Sequence, residues 1–236
     1  MKKVYSFGFG LNWNFHQEEH PSTTRILKDL EIVLSICQKH ELLNSTYYLD
    51  DDVQKHFFEE ISLEAIIKDL YEKVEGQELA GEIVRIGGDG WIYLDSGEKV
   101  RQTDLLTIDS IRLFQRSITV QTRINCWTPL AMDDAYDFHW QVDLSLLNES
   151  RLERCLREIK QSLGGKVEPE EDEIDRDQPV WQKGFRLYWD PEILQREYAW
   201  KPPETPCEFE KYLLATDQDR APRDLGHDIQ SGKRKE

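Results

Sequence analysis

The stretch GEIVRIGGDGWIYLDSGEKVRQTDLLTIDS, running from Gly81 to Ser110, decides the fold class. Its apolar residues recur at every second position, the period of a half-buried strand rather than of a helix. Glu82 to Ile86 and Trp91 to Leu94 read as two strands. Between them Gly87-Gly88-Asp89-Gly90 reads as the turn of a β-hairpin, since glycine reaches positive φ at no steric cost. Asp95-Ser96-Gly97 is a second turn, and Lys99 to Ile108 continues the meander. Ile111 to Trp127 and Phe138 to Leu146 follow as longer strands. Strands in unbroken succession pair antiparallel, so the expected class is α+β: a mostly antiparallel β-sheet with amphipathic helices packed on one face. A small β-barrel formed by the hairpin-rich subregion 79–108 is the alternative for that part of the chain.

Working outward, Lys3 to Trp13 alternates as a strand, with Tyr5, Phe7 and Phe9 on one side. Ser22 opens an amphipathic helix over 22–40, marked by Ile26, Leu27, Leu30, Val33, Leu34 and Cys37. Thr46 to Leu49 is a short strand, and 53–74 is helical with a break near Ser62. Downstream, Asn148 or Ser150 caps a helix whose apolar face is Leu152, Cys155, Leu156, Ile159 and Leu163. Gly164-Gly165 closes that helix. Residues 166–178 form a mobile acidic loop, because its like charges repel one another. Val180 to Trp189 is a strand, and Pro191 to Trp200 a short helix. These elements make a single α+β domain over 1–215, followed by a disordered polar tail over 216–236.

Composition narrows the function. The chain has 236 residues with 30 Lys+Arg against 46 Asp+Glu, a formal net charge of −16. Phosphate binding depends on Lys and Arg, so this balance argues against nucleic acid as a direct ligand. It favours basic partners. No run approaches the roughly 18 apolar residues of a membrane span. Cys37, Cys126, Cys155 and Cys207 are widely spaced in apolar or amphipathic stretches, which reads as buried reduced thiols and a cytoplasmic protein. Of the seven tryptophans, Trp13 and Trp200 lie at element ends, where exposure of the ring is easiest.

Three patterns carry possible chemistry. His16-Gln17-Glu18-Glu19-His20 matches a zinc signature that requires a helix, but Pro21 disfavours helical geometry there, so no metal is expected. The Gly87–Gly90 glycines precede a strand, whereas a phosphate-binding loop leads into a helix, so no cofactor is expected. Finally, Asp137, His139, Gln141 and Asp143 share one face of a strand, and Ser117, Thr119, Gln121, Arg123 and Asn125 share one face of another. If these strands pair, His139 becomes a general base beside Asp137 and Asp143, with Arg123 to hold an anionic substrate. That is the alternative reading, a hydrolase or transferase centred on His139. The leading one is a non-enzymatic acidic protein-binding module that inhibits or masks a basic protein partner, as a toxin-immunity inhibitor does. Its contact residues are expected among Asp50, Asp51, Asp52, Glu59 and Glu60 on the acidic stretch from Glu41 to Glu78.

Overall fold

A computed structural model describes residues 11–16, 22–48, 62–75, 84–94, 96–111, 117–122, 124–128, 130–132, 138–168, 180–183, 185–189 and 196. The elements are β1 (Leu11–His16), α1 (Thr23–Lys39), β2 (Ser45–Tyr48), α2 (Leu63–Glu75), β3 (Val84–Tyr93), β4 (Lys99–Ile111), β5 (Ser117–Thr122), a 3₁₀ turn (Asn125–Trp127), β6 (Leu130–Met132), β7 (Phe138–Trp140), α3 (Val142–Leu163), β8 (Lys166–Glu168), β9 (Val180–Lys183) and β10 (Arg186–Trp189). Six strands form one antiparallel sheet in the order β2-β3-β4-β5-β1-β8. The α+β architecture is as the strand succession predicts. The 79–108 region supplies β3 and β4 to this sheet rather than closing a barrel of its own.

Strand alternation builds one face of the sheet. Leu11, Trp13 and Phe15 of β1, Ile118 and Val120 of β5, Ile108 of β4 and Ile86 of β3 are all buried and share a face by register. The helices complete that core with Leu30, Val33, Leu34 and Cys37 from α1, Ile66 and Leu70 from α2, and Leu152, Cys155, Leu156 and Ile159 from α3. Trp13 therefore sits fully buried in the middle of the sheet, not exposed at an element end. The indole Nε1 of Trp127 donates to Thr122 Oγ1 at 3.0 Å, and that hydroxyl donates to the Leu105 carbonyl at 2.9 Å. A buried polar group is thus satisfied at each link.

Local signals place the helix starts. Ser22 Oγ accepts from Arg25 N, and Ser62 Oγ accepts from Ala65 N, so each serine caps the first turn that follows it. The break near Ser62 is the start of α2; residues 53–61 lie outside the described residues.

Three expectations are corrected. Gly87-Gly88-Asp89-Gly90 is not a turn: β3 runs straight through it, with a bulge between Gly88 and Gly90. The glycines are there for space. A Cβ on Gly88 would lie 2.7 Å from the Ser45 carbonyl oxygen, and one on Gly90 would lie 2.5 Å from that of Leu42. The true hairpin turn passes through Ser96 and Gly97, where Gly97 has φ +81° and its N donates to the Leu94 carbonyl at 2.8 Å. Next, Phe138 to Leu146 is not one strand, since β7 ends at Trp140 and α3 begins at Val142. Asn148 lies within that helix instead of capping it, because its amide serves another backbone, described below. Lastly, Val180 to Trp189 folds back as the hairpin β9–β10. Its Phe185 stacks on Phe15 with ring centroids 6.4 Å apart, and the guanidinium of Arg157 lies over the Phe185 ring at 5.4 Å.

At the bulge, Arg101 Nη2 donates to Asp89 Oδ2 (2.9 Å) and Ser45 Oγ (2.7 Å), while the Tyr47 hydroxyl donates to Asp104. Burial and the Asp104 carboxylate together hold the Tyr47 phenol well above its ordinary acidity range. These bonds tie β2, β3 and β4 at the point where the register shifts.

Gly88→Ala and Gly90→Ala should each cost about 2–3 kcal/mol, because unyielding backbone blocks the methyl group in addition to the Leu43 and Leu105 side chains. Gly97→Ala should cost about 1 kcal/mol, from positive φ alone. Urea midpoints at unchanged m-value check this order.

Candidate functional site

The best-connected polar constellation lies where β3 outruns β2. Strand β2 pairs with β3 only as far as Asp89, which leaves the same edge of β3 to be completed from Asp89 to Tyr93. Buried strand edges require partners for every amide and carbonyl. The turn after α1 supplies two: Asn44 N donates to Asp89 O at 2.7 Å, and Trp91 N donates to Glu41 O at 2.9 Å. Helix α3 supplies the rest. Arg151 Nη2 donates to the Trp91 carbonyl, Asn148 Oδ1 accepts from Tyr93 N at 3.0 Å, and Asn148 Nδ2 donates to Tyr93 O at 2.8 Å. One asparagine amide thereby replaces one residue of a neighbouring strand.

Charges gather around this edge. Glu41, at φ +58°, accepts from both Lys99 Nζ and the Tyr93 hydroxyl. The Lys99 ammonium, then the Tyr93 phenol, hold the Glu41 carboxyl below the usual carboxylate range. Lys99 also lies over the Trp91 ring at 4.9 Å, and the Arg151 guanidinium over the Tyr93 ring at 4.9 Å. Arg151 is 6% exposed, and burial lowers its affinity for a proton. The geometry shown is that of a clasp between helix and sheet.

The opposite face of the sheet is polar, as the alternation of Ser117, Thr119 and Gln121 predicts, but its neighbours differ from those expected. β5 pairs with β1 and β4, while β7 pairs, among the described residues, with β6. Thr119 Oγ1 donates to Asn14 Oδ1 at 2.7 Å, and Arg85 Nε donates to Asp109 Oδ1 at 3.0 Å. His16 Nε2 lies 3.0 Å from Glu168 Oε2. His139 stands opposite Ala131 in the small ribbon, and Asp143 stands in the first turn of α3. Arg123 and Asp137 lie outside the described residues, and Asn125 has turned into the 3₁₀ helix. The pairing that would have put His139 beside the 117–121 face is therefore not formed. Among the described residues no three His, Cys, Asp or Glu side chains converge to hold a metal ion, and no helix is long and apolar enough to cross a membrane.

Asp50, Asp51, Asp52, Glu59 and Glu60 also lie outside the described residues, yet the fold fixes where their stretch is attached. The chain enters it from β2 and leaves it into α2, while the acidic run after Glu168 departs from β8. β2 and β8 are the two edges of the sheet, five strand spacings or about 24 Å apart. Alternating strand direction sends the two departures to opposite ends. The described residues themselves contain 16 acidic and 16 basic side chains, so the net charge of −16 resides wholly in the other segments. Within the fold several acids are paired: Asp109 with Arg85, Asp89 with Arg101, Glu153 with Arg157, Asp69 with Lys73, and Glu158 with Lys39 and His40. Neither a protein-family model, nor a curated protein, nor a solved structure matches this chain.

Sequence reasoning missed the clasp. Its signal was present: Asn148 and Arg151 fall at helical spacing between Leu144 and Cys155, on the stripe that is otherwise apolar.

Asn148→Ala should cost about 2–3 kcal/mol, since it strands both the amide and the carbonyl of Tyr93, and chemical denaturation reads that loss. Glu158 provides a pH test. Lys39 and then His40 depress its carboxyl below the ordinary 4.5, so its contribution is complete above that value and lost as pH falls through the depressed one. Thermal melts of wild type and Glu158→Gln should differ near neutrality and converge in acid.

Proposed function

We propose that this chain is a non-enzymatic acidic binding module, acting in the cytoplasm, that inhibits or masks a basic protein partner in the manner of a toxin-immunity inhibitor. The observation that carries this reading is the division of charge. The described fold is neutral by count and many of its carboxylates are paired with its own Lys, Arg and His, while the surplus negative charge lies in the segments attached to it. Surplus carboxylates without matching cations attract a basic surface and accelerate its arrival. Asp50, Asp51, Asp52, Glu59 and Glu60 are the proposed contacts, with the 170–177 run as a second set. The same surplus repels nucleic acid and supports a protein rather than a phosphate-bearing partner.

The test is capture from an extract of the native host with the full chain as bait. A basic protein should bind at about 0.05 M salt and elute well before about 0.5 M, over which screening shortens severalfold. A variant carrying Asp50→Asn, Asp51→Asn, Asp52→Asn, Glu59→Gln and Glu60→Gln should retain less than about a tenth of that binding, a loss of one to two decades for several charge pairs. Capture indifferent to both salt and these substitutions would falsify the reading.

A further inference from the structure

The helical layer contains two thiols in contact. Cys37 lies in the last turns of α1 and Cys155 in the middle of α3; they are 118 residues apart in sequence, and their sulfur atoms are 3.8 Å apart. Both are fully buried and neither is in a disulfide. Directly outside them, Glu158 joins α3 to Lys39 and His40 at 2.6 and 2.8 Å, so the two helices are held together beside the thiols. The third described thiol, Cys126, is also buried, but it belongs to the 3₁₀ turn near Arg151.

We propose that Cys37 and Cys155 are a latent crosslinking site, which a peroxide converts to an intrachain disulfide that fastens α1 to α3. A disulfide needs its sulfurs about 2.05 Å apart, so the contact must close by under about 2 Å, a displacement within reach of side-chain rotation. The chemistry balances. Hydrogen peroxide takes the electron pair of one thiolate, its O–O bond breaks, and the products are a sulfenic acid and hydroxide. The second thiol attacks the sulfenic sulfur, its proton leaves with the expelled hydroxyl as water, and the S–S bond forms. Two thiols and one peroxide become one disulfide and two waters. Peroxide suits a closed seam because it is scarcely larger than water. The hydrogen bond that the Cys155 thiol donates to Cys37 Sγ, and burial, both hold that thiol protonated, so the first step is slow and the crosslink accumulates only under sustained oxidation. Contact between the sulfurs makes the second step intramolecular and favours it over further oxidation.

The full chain is exposed to excess hydrogen peroxide, unfolded in the presence of an alkylating reagent, and mapped as peptides without reduction. The expected result is one linked species joining the Cys37 and Cys155 peptides, about 2 Da lighter than their sum and separated by dithiothreitol. The thermal midpoint should rise with the linked fraction. Cys126→Ala should leave the link intact, and Cys37→Ala should abolish it. Recovery of both thiols alkylated from protein that has stayed folded, linkage chiefly to Cys126 or Cys207, or conversion of either residue to sulfinic acid overturns the proposal. The map of the unaltered chain decides the question even if a variant fails to fold.

Discussion

The unfinished edge of β3 is the constraint on which the rest of the structure depends. A strand of ten residues with only four paired on one side leaves buried amides and carbonyls that nothing else in the sheet can satisfy. Asn148 and Arg151 answer them from α3, and Glu41 and Asn44 answer them from the turn after α1. A helix that must present an amide to one backbone position has no freedom to slide or rotate. The helical layer is therefore set in register against the sheet by polar groups, and the apolar residues of α1 and α3 pack in the frame so fixed.

Gly88 and Gly90 enforce the same frame from the other side. The turn after α1 and the start of β2 lie so close to β3 that side chains at those two positions would collide with backbone. The bulge between them shifts the register of β3 against β4 at the point where pairing with β2 ends. The polar ties from Arg101 and Tyr47 hold β2, β3 and β4 together there.

Much of this was legible in the sequence. The helix start at Ser22, the strands around Trp91 and Lys99, the alternation through Ser117–Gln121 and the α+β class follow from period and capping. The glycine run misled because glycine has two uses, positive φ and absence of a side chain, and sequence alone does not say which applies. Phe138 to Leu146 misled because Phe138, Trp140, Val142 and Leu144 also fit a strand, while the helix that begins at Val142 draws its stability from contacts made further along. Asn148 resembled a cap for a related reason: its amide bonds a backbone, but one 55 residues away. Strand partners could not be read locally, and β7 beside β6 rather than β5 is what separates His139 from the polar sheet face.

The six-stranded sheet also acts as a ruler. With the two acidic stretches attached at its opposite edges, their points of departure keep a fixed separation. A basic body gripped by one stretch meets the other as a tethered neighbour instead of a free solute. The avidity gained depends on whether that body is wide enough to span the sheet. On the reading proposed above, width of the partner, and not charge alone, then becomes a criterion for binding.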